Sequence, residues 1–299
     1  MIIDLYETVK AHPQYFKQLK CKDLLFTQYD CPQEALKQDL FSAHCYIAYV
    51  LKGKRVFHLP GETHDMTSGK CVFAKRGGWI AEKEPAEGWC VLVFFITEHY
   101  LKTFLREYRS NLPVKATAAL PCTQMIDLDV NDATRIFFHS MLPYFTQNPP
   151  PPESLVELKF RELLFNILLN PANQNLLNWI SNIADNNKQP LQEVMEANYS
   201  YNLPLSDYAR IAGRSIASFK REFFAIYKTT PGKWLLQKRL DYASLLLNRS
   251  HKPVNEIAFE SGFENTTHFS RVFKAKFGTS PLRFRQDAQT VETPLISQQ

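Results

Sequence analysis

Residues 205–213 read Leu-Ser-Asp-Tyr-Ala-Arg-Ile-Ala-Gly, and residues 254–262 read Val-Asn-Glu-Ile-Ala-Phe-Glu-Ser-Gly. Ala209 matches Ala258 and Gly213 matches Gly262, at an offset of 49. Beyond the glycine the offset becomes 50, with Phe219-x-x-x-Phe223 matching Phe269-x-x-x-Phe273 and Thr-Thr-Pro231 matching Thr-Ser-Pro281. Each copy reads as a short helix, a tight turn and a second, amphipathic helix. The small alanine lets two helices approach, and glycine reaches positive φ at low cost. The pattern predicts two helix-turn-helix motifs.

On the second helix of each copy, a turn of 100° per residue separates two faces. In helix 215–227, Ile216, Phe219, Phe223 and Ile226 are expected inside. Ala217, Arg221, Phe224 and Lys228 are expected outside, with Lys220 at the edge. In helix 265–277, Thr266, Phe269, Phe273 and Phe277 are expected inside, and Thr267, Ser270, Arg271 and Lys274 outside. Ser215 and Asn265 stand where helix N-caps belong. Cations mixed with short polar groups suit phosphates and base edges.

Between the copies, Pro231 opens a helix over about 233–247, with Leu236, Leu240, Ala243 and Leu247 as its stripe. Fifteen residues make a rod of roughly 22 Å. Such a rod can set two recognition helices about one DNA turn apart, ~34 Å, so that one chain reads two successive major grooves.

The preceding part of the chain has another texture. Residues 45–51, 55–59, 70–74, 79–82 and 89–96 read as strands separated by turn residues, with 24–29 and 39–42 as candidate edge strands. Regular spacing of this kind predicts an antiparallel sandwich or small barrel. Helices follow at 98–108, 132–144 and 155–169, then a stripe of Leu176, Leu177, Trp179, Ile180 and Ile183. Helix 155–169 is apolar on nearly every face, which requires cover on both sides: the sheet on one, and a partner subunit or more of the same core on the other. The fold class is therefore α+β, with a helix-flanked β domain at residues 1–182, a linker at 183–190, an all-α domain at 191–287 and a disordered tail at 288–299.

Charge supports that division. The 299 residues carry 35 Lys+Arg against 30 Asp+Glu. Residues 1–190 balance at 20 and 20, while residues 191–299 hold 15 and 10, so the whole excess of five lies in the final third. A charge concentrated there points to a polyanion. The longest apolar run, residues 89–96, is far short of the ~20 that span a bilayer. The start of the chain lacks a basic segment followed by an apolar one, so a cytoplasmic protein with no membrane role is expected. Six cysteines, at 21, 31, 45, 71, 90 and 122, form no Cys-x-x-Cys pair and are expected to act as small hydrophobes. His58 and His64 flank a turn without the His-x-His plus carboxylate of a metal site. No cofactor and no catalytic role is expected.

Residues 257–263, Ile-Ala-Phe-Glu-Ser-Gly-Phe, together with Phe269-Ser-Arg-Val-Phe-Lys-Ala-Lys-Phe-Gly-Thr-Ser-Pro281 and Arg239-Leu-Asp-Tyr-Ala-Ser-Leu-Leu-Leu247, resemble the AraC/XylS family of transcription regulators. The resemblance implies base contacts by Ala217, Lys220 and Arg221 in one groove and by Thr266, Thr267 and Arg271 in the next. Arg214 and Lys228 depart from the small residue or glycine common at their positions, and Glu264 from a small polar cap. Residues 46–53 and 69–77 resemble the cupin-like regulatory domains of the ExsA-type branch, activators of type III secretion genes controlled by a protein antagonist.

The expected function is a sequence-specific DNA-binding transcription regulator, an activator. Its expected partners are double-stranded DNA, RNA polymerase, a second copy bound through the N-terminal domain, and a regulatory protein. Ser270 joins the base-facing set, with Lys228 and Lys274 as phosphate contacts. Three alternatives stand beside this reading. One is a cupin-type metal enzyme fused to a helical module, and another an architectural DNA binder with little sequence preference. The third is a regulator answering to a sugar-like molecule, whose cavity Trp79, Trp89 and Tyr49 would line.

Overall fold

A computed structural model describes residues 3–30, 37–59, 62–83, 88–114, 123–185, 191–250 and 252–291, with the backbone alone at 249 and 287–291. The chain divides into two compact units. One is Met1–Ala197 with Ile211–Gly213, and the other is Asn198–Arg210 with Arg214–Gln299.

The first unit begins with β1 (Ile3–Asp4), α1 (Leu5–Ala11), β2 (Lys17–Cys21), β3 (Leu24–Asp30), β4 (Lys37–Ser42) and β5 (Cys45–Lys52). It continues with β6 (Lys54–Leu59), β7 (Glu62–Thr67), β8 (Cys71–Ala74), β9 (Gly77–Lys83) and β10 (Cys90–Ile96). Then come α2 (Glu98–Tyr108), β11 (Met125–Leu128), α3 (Asp132–Met141), α4 (Glu153–Leu168) and α5 (Gln174–Asp185). The strands form two sheets, ordered β1-β4-β9-β6-β7 and β11-β8-β5-β10-β3-β2. Among the described residues every strand pairing is antiparallel except the short β1–β4 pair. Of the two architectures the strand spacing allows, the sandwich is the one formed.

Side-chain alternation builds three layers from these elements. Along β5, Cys45, Ile47 and Tyr49 face a core shared with α2 to α5, whereas Tyr46, Ala48 and Val50 face the core between the sheets. A strand buried on both faces reads as an unbroken apolar run. β3 and β4 are not edge strands as the sequence suggests: β3 lies between β10 and β2, and β4 between β9 and β1. Helix 132–144 divides into α3 and a short 3-10 turn at Leu142–Phe145, because Pro143 removes a backbone donor. α5 takes in the first residues of the expected linker 183–190, and residues 186–190 lie outside the described residues.

Beyond that point are α6 (Leu191–Asn198), α7 (Leu205–Ile211), α8 (Ile216–Tyr227), α9 (Pro231–Arg249), α10 (Val254–Glu260), α11 (Thr266–Phe277) and α12 (Pro281–Val291). The sequence offsets reappear in space: α7 corresponds to α10 at 49, and α8 to α11 at 50. α9 spans 19 residues, a rod of roughly 28 Å, longer than the sequence predicts. Thr230 caps it and Pro231 takes the first turn, where no amide donor is needed. Its buried stripe is Leu235, Leu240, Ala243 and Leu247; Leu236 lies exposed, because the stripe turns by one residue near the N-terminus. Leu240, Ala243 and Leu247 pack with Ile257, Ala258, Phe263, Phe269 and Phe273, which folds the second motif onto α9. α12 continues past residue 288, where the sequence places a disordered tail; residues 292–299 lie outside the described residues.

Candidate nucleic-acid interface

The second helices of the two motifs, α8 and α11, are built alike. The Ser215 hydroxyl accepts from the Ser218 amide, and the Asn265 carboxamide oxygen accepts from the His268 amide, so each predicted cap satisfies a helix-end donor. Each helix ends in a left-handed residue, Lys228 (φ 53°) in the first motif and Gly278 (φ 77°) in the second. The departure noted at Lys228 therefore places a side chain where the paired motif uses glycine.

The inner faces differ in detail. Phe269 and Phe273 are buried, with Thr266 and Phe277 half-buried, as the wheel predicts. In α8, Phe219 and Phe223 are buried, but Ile216 and Ile226 are exposed. Tyr227 closes that face instead, its ring 4.5 Å from Phe223 and 5.3 Å from Trp234 of α9. A helix seated by two phenylalanines and a tyrosine leaves its terminal isoleucines at the rim.

On the outer faces, Ala217, Lys220, Arg221 and Lys228 are all exposed, as are Thr267, Arg271 and Lys274, while Ser270 is half-buried. The side chains of Lys220, Arg221, Lys228, Arg271 and Lys274 make no ion pair or hydrogen bond among the described residues. Neighbouring cations behave differently. Arg214, buried, grips Glu222 through two bonds of 2.7 and 2.6 Å, which explains both the departure at Arg214 and the position of Glu222. Lys252 pairs with Glu260 at 2.6 Å, Lys276 with Asp241, and Arg210 with Asp207 at 3.1 Å. Those four cations are thus neutralised by carboxylates, whereas the five on the two outer faces have no acid partner among the described residues.

One residue that the sequence does not single out positions the pair of motifs. From α9, Arg239 donates to the Tyr199 carbonyl (2.7 Å), the Tyr201 carbonyl (2.8 Å) and the Gly262 carbonyl (3.1 Å). It therefore ties the turn of the second motif to the segment ahead of the first. Beside it a groove of about 710 Å³ runs between α9 and α11, with Leu235, Arg239, Phe263, Thr267 and Arg271 among its walls.

The aromatic residues that could line an effector cavity belong to two different cores. Trp79 and Trp89 are buried between the sheets. Tyr49 lies on the opposite face of its sheet, stacked on Phe138 with ring centroids 4.1 Å apart. His58 bonds Glu82 at 2.6 Å and His64 bonds Asp127 at 3.2 Å. Burial pushes the Cys45 thiol up to about 12 and Cys71 higher still, consistent with packing residues. Cys31 and Cys122 lie outside the described residues. No helix of the described residues is long and apolar enough to cross a membrane.

Two family models match separate parts of the chain. Residues 45–179 match the ExsA N-terminal regulatory domain, and residues 208–287 match a Helix-turn-helix domain. The chain is 25% identical over 248 residues to the Thermoregulatory protein LcrF of Yersinia pestis, covering 79% of this chain and 87% of that protein. It is 25% identical over 245 residues to the HTH-type transcriptional regulator ExsA of Pseudomonas aeruginosa, covering 79% and 84%. Over 98 residues it is 36% identical to the Transcriptional activator NphR of a Rhodococcus species, 32% of this chain and 29% of that protein.

Proposed function

The chain belongs to the AraC/XylS family of transcription regulators, with an ExsA-type regulatory domain, and from that premise we propose that it activates transcription by binding one duplex in two successive major grooves. The observation that carries this reading is the set of unpaired cations on equivalent outer faces of α8 and α11. Ala217, Lys220 and Arg221 contact bases in one groove, and Thr267, Ser270 and Arg271 in the next, with half-buried Thr266 reaching them from the first residue of α11. Lys228 and Lys274, nearer the helix ends, hold phosphates. Arginine matches the two acceptors of guanine, and threonine and serine adapt to either base of a pair.

Residues 191–287 are the DNA-binding part and residues 1–182 the regulatory part of a cytoplasmic protein that catalyses no reaction itself. The same reading has the protein recruit RNA polymerase and pair with a second copy through α4. Val156, Phe160, Leu163, Leu164, Ile167 and Leu168 are spent on the core, while Leu158 is 63% and Leu169 49% exposed. With Trp79, Trp89 and Tyr49 packed in cores, control by a protein on the outer surface is favoured over a sugar inside the sandwich.

The experiment is selection of bound duplexes from a random pool, followed by footprinting of the enriched site. The proposal expects two protected patches on one face of the duplex, centred about one helical turn apart, ~34 Å. A single patch, or protection indifferent to sequence, would overturn it.

A further inference from the structure

The outer face of α8 carries a side chain that the list of base and phosphate contacts leaves unused. Phe224 is 56% exposed and makes no ring contact among the described residues. It lies on the stripe of Ala217, Arg221 and Lys228, so it projects where the cations do. At the offset of 50, the same stripe in α11 reads Thr267, Ser270, Arg271 and Lys274, polar throughout. Phe224 thus occupies the place of Lys274, whose longer flexible chain reaches past the base edges to a phosphate, and Ala217 that of Thr267. Along this stripe, only Arg221 and Arg271 are the same residue.

A phenylalanine flanked by three cations on a helix bound for the major groove needs an apolar partner there. Base edges in that groove present hydrogen-bond donors and acceptors, and one apolar group, the C5 methyl of thymine. Resting on the DNA-binding reading above, we propose that Phe224 covers a thymine methyl, so that the first motif selects a thymine-bearing half-site and the second selects through hydrogen bonds. Ala217 is small enough to sit on another methyl. The two residues are seven apart, ~10 Å along the helix, or about three base-pair steps at 3.4 Å each. Arg221 lies between them, against a guanine. The two half-sites of one operator therefore differ in chemistry, which fixes the direction in which the chain lies on DNA.

The test uses the full chain and the duplex enriched from a random pool. Each thymidine under the first motif is replaced in turn by deoxyuridine, which removes the methyl and keeps the base-pairing edge. Burial of one methyl corresponds to about a fourfold change in affinity, so the wild-type chain should lose about fourfold at the position under Phe224. Phe224→Ala should bind the thymidine and deoxyuridine duplexes equally. Phe224→Lys, which copies the second motif and suits an exposed helix position, should do the same and gain about one unit of salt dependence. Equal binding of both duplexes by the wild-type chain would overturn the proposal. So would methyl discrimination that survives in Phe224→Lys, or unchanged discrimination with lost transcription, which would assign Phe224 to a protein contact. Sequence-specific binding without a methyl effect sinks this inference alone; failure to enrich any duplex sinks the DNA-binding reading as well.

Discussion

Gly262 approaches the Ser200 carbonyl so closely that a β-carbon at residue 262 would stand 2.4 Å from its oxygen. The same residue holds φ at 85°, where side chains are strained. Gly213, its counterpart in the first motif, has φ 66° but open space around the missing β-carbon. Gly213→Ala should therefore cost the strain alone, about 1–2 kcal/mol. Gly262→Ala adds a backbone clash and should cost clearly more. Denaturant unfolding of the two variants measures the difference; equal losses would mean that the contact with Ser200 relaxes freely.

Lys228 supplies the converse case. It ends α8 in the left-handed conformation that Gly278 adopts in α11. Lys228→Gly should raise stability by about 1 kcal/mol through relief of that strain. If Lys228 holds a phosphate, the same variant should bind DNA more weakly on every sequence, with the salt slope reduced by about one. Melting and binding should thus move in opposite directions, and a stabilised variant with unchanged salt dependence would remove Lys228 from the interface.

Acid sensitivity of the regulatory unit should run through Glu157. Its carboxylate accepts from Lys22 at 2.7 Å and from Arg161 at 3.1 Å, and the bond from Lys22 above all holds it below the usual glutamate range. A carboxyl lowered on folding contributes stability that is present above its unfolded value and disappears as pH falls through the folded one. Glu157→Gln should therefore lower the melting temperature at neutral pH. It should also flatten the fall of melting temperature between about pH 5 and pH 3. Parallel pH profiles for the two proteins would contradict the assignment.

Self-association should depend on the exposed face of α4. Leu158→Asp together with Leu169→Asp should give a monomer in sedimentation at concentrations where the wild-type chain is dimeric. That monomer should still occupy one site, since the buried residues of α4 are untouched. Loss of the avidity that two tethered units gain on paired sites should follow. A dimer surviving both changes would place the seam elsewhere.

The sequence is most legible where one amphipathic rod meets one core. The outward positions of α8 and α11 follow from the wheel because Phe219, Phe223, Phe269 and Phe273 fix each helix's rotation. Misreadings gather at helix ends, where Ile216, Ile226 and Leu236 sit near the rim and a small rotation exposes them. β7 is hard to recognise because Glu-Thr-His-Asp-Met-Thr at a sheet edge buries Met66 alone and shows no apolar alternation. β3 and β4 look like edge strands because their partners β2 and β1 are short and carry little pattern of their own. Arg239 is invisible for a different reason: its three shortest bonds go to backbone carbonyls, which any residue could supply.

Affinity of the full chain for its selected duplex against random DNA, at one fixed salt concentration, tests the central claim most directly when read beside Arg221→Ala and Arg271→Ala. The wild-type protein should prefer the selected site by at least ~10³. Each arginine variant should lose about 1–3 kcal/mol on that site while keeping most of its affinity for random DNA. Equal losses on selected and random DNA, with a shallower salt dependence, would make both arginines phosphate contacts and contradict base reading by these two helices.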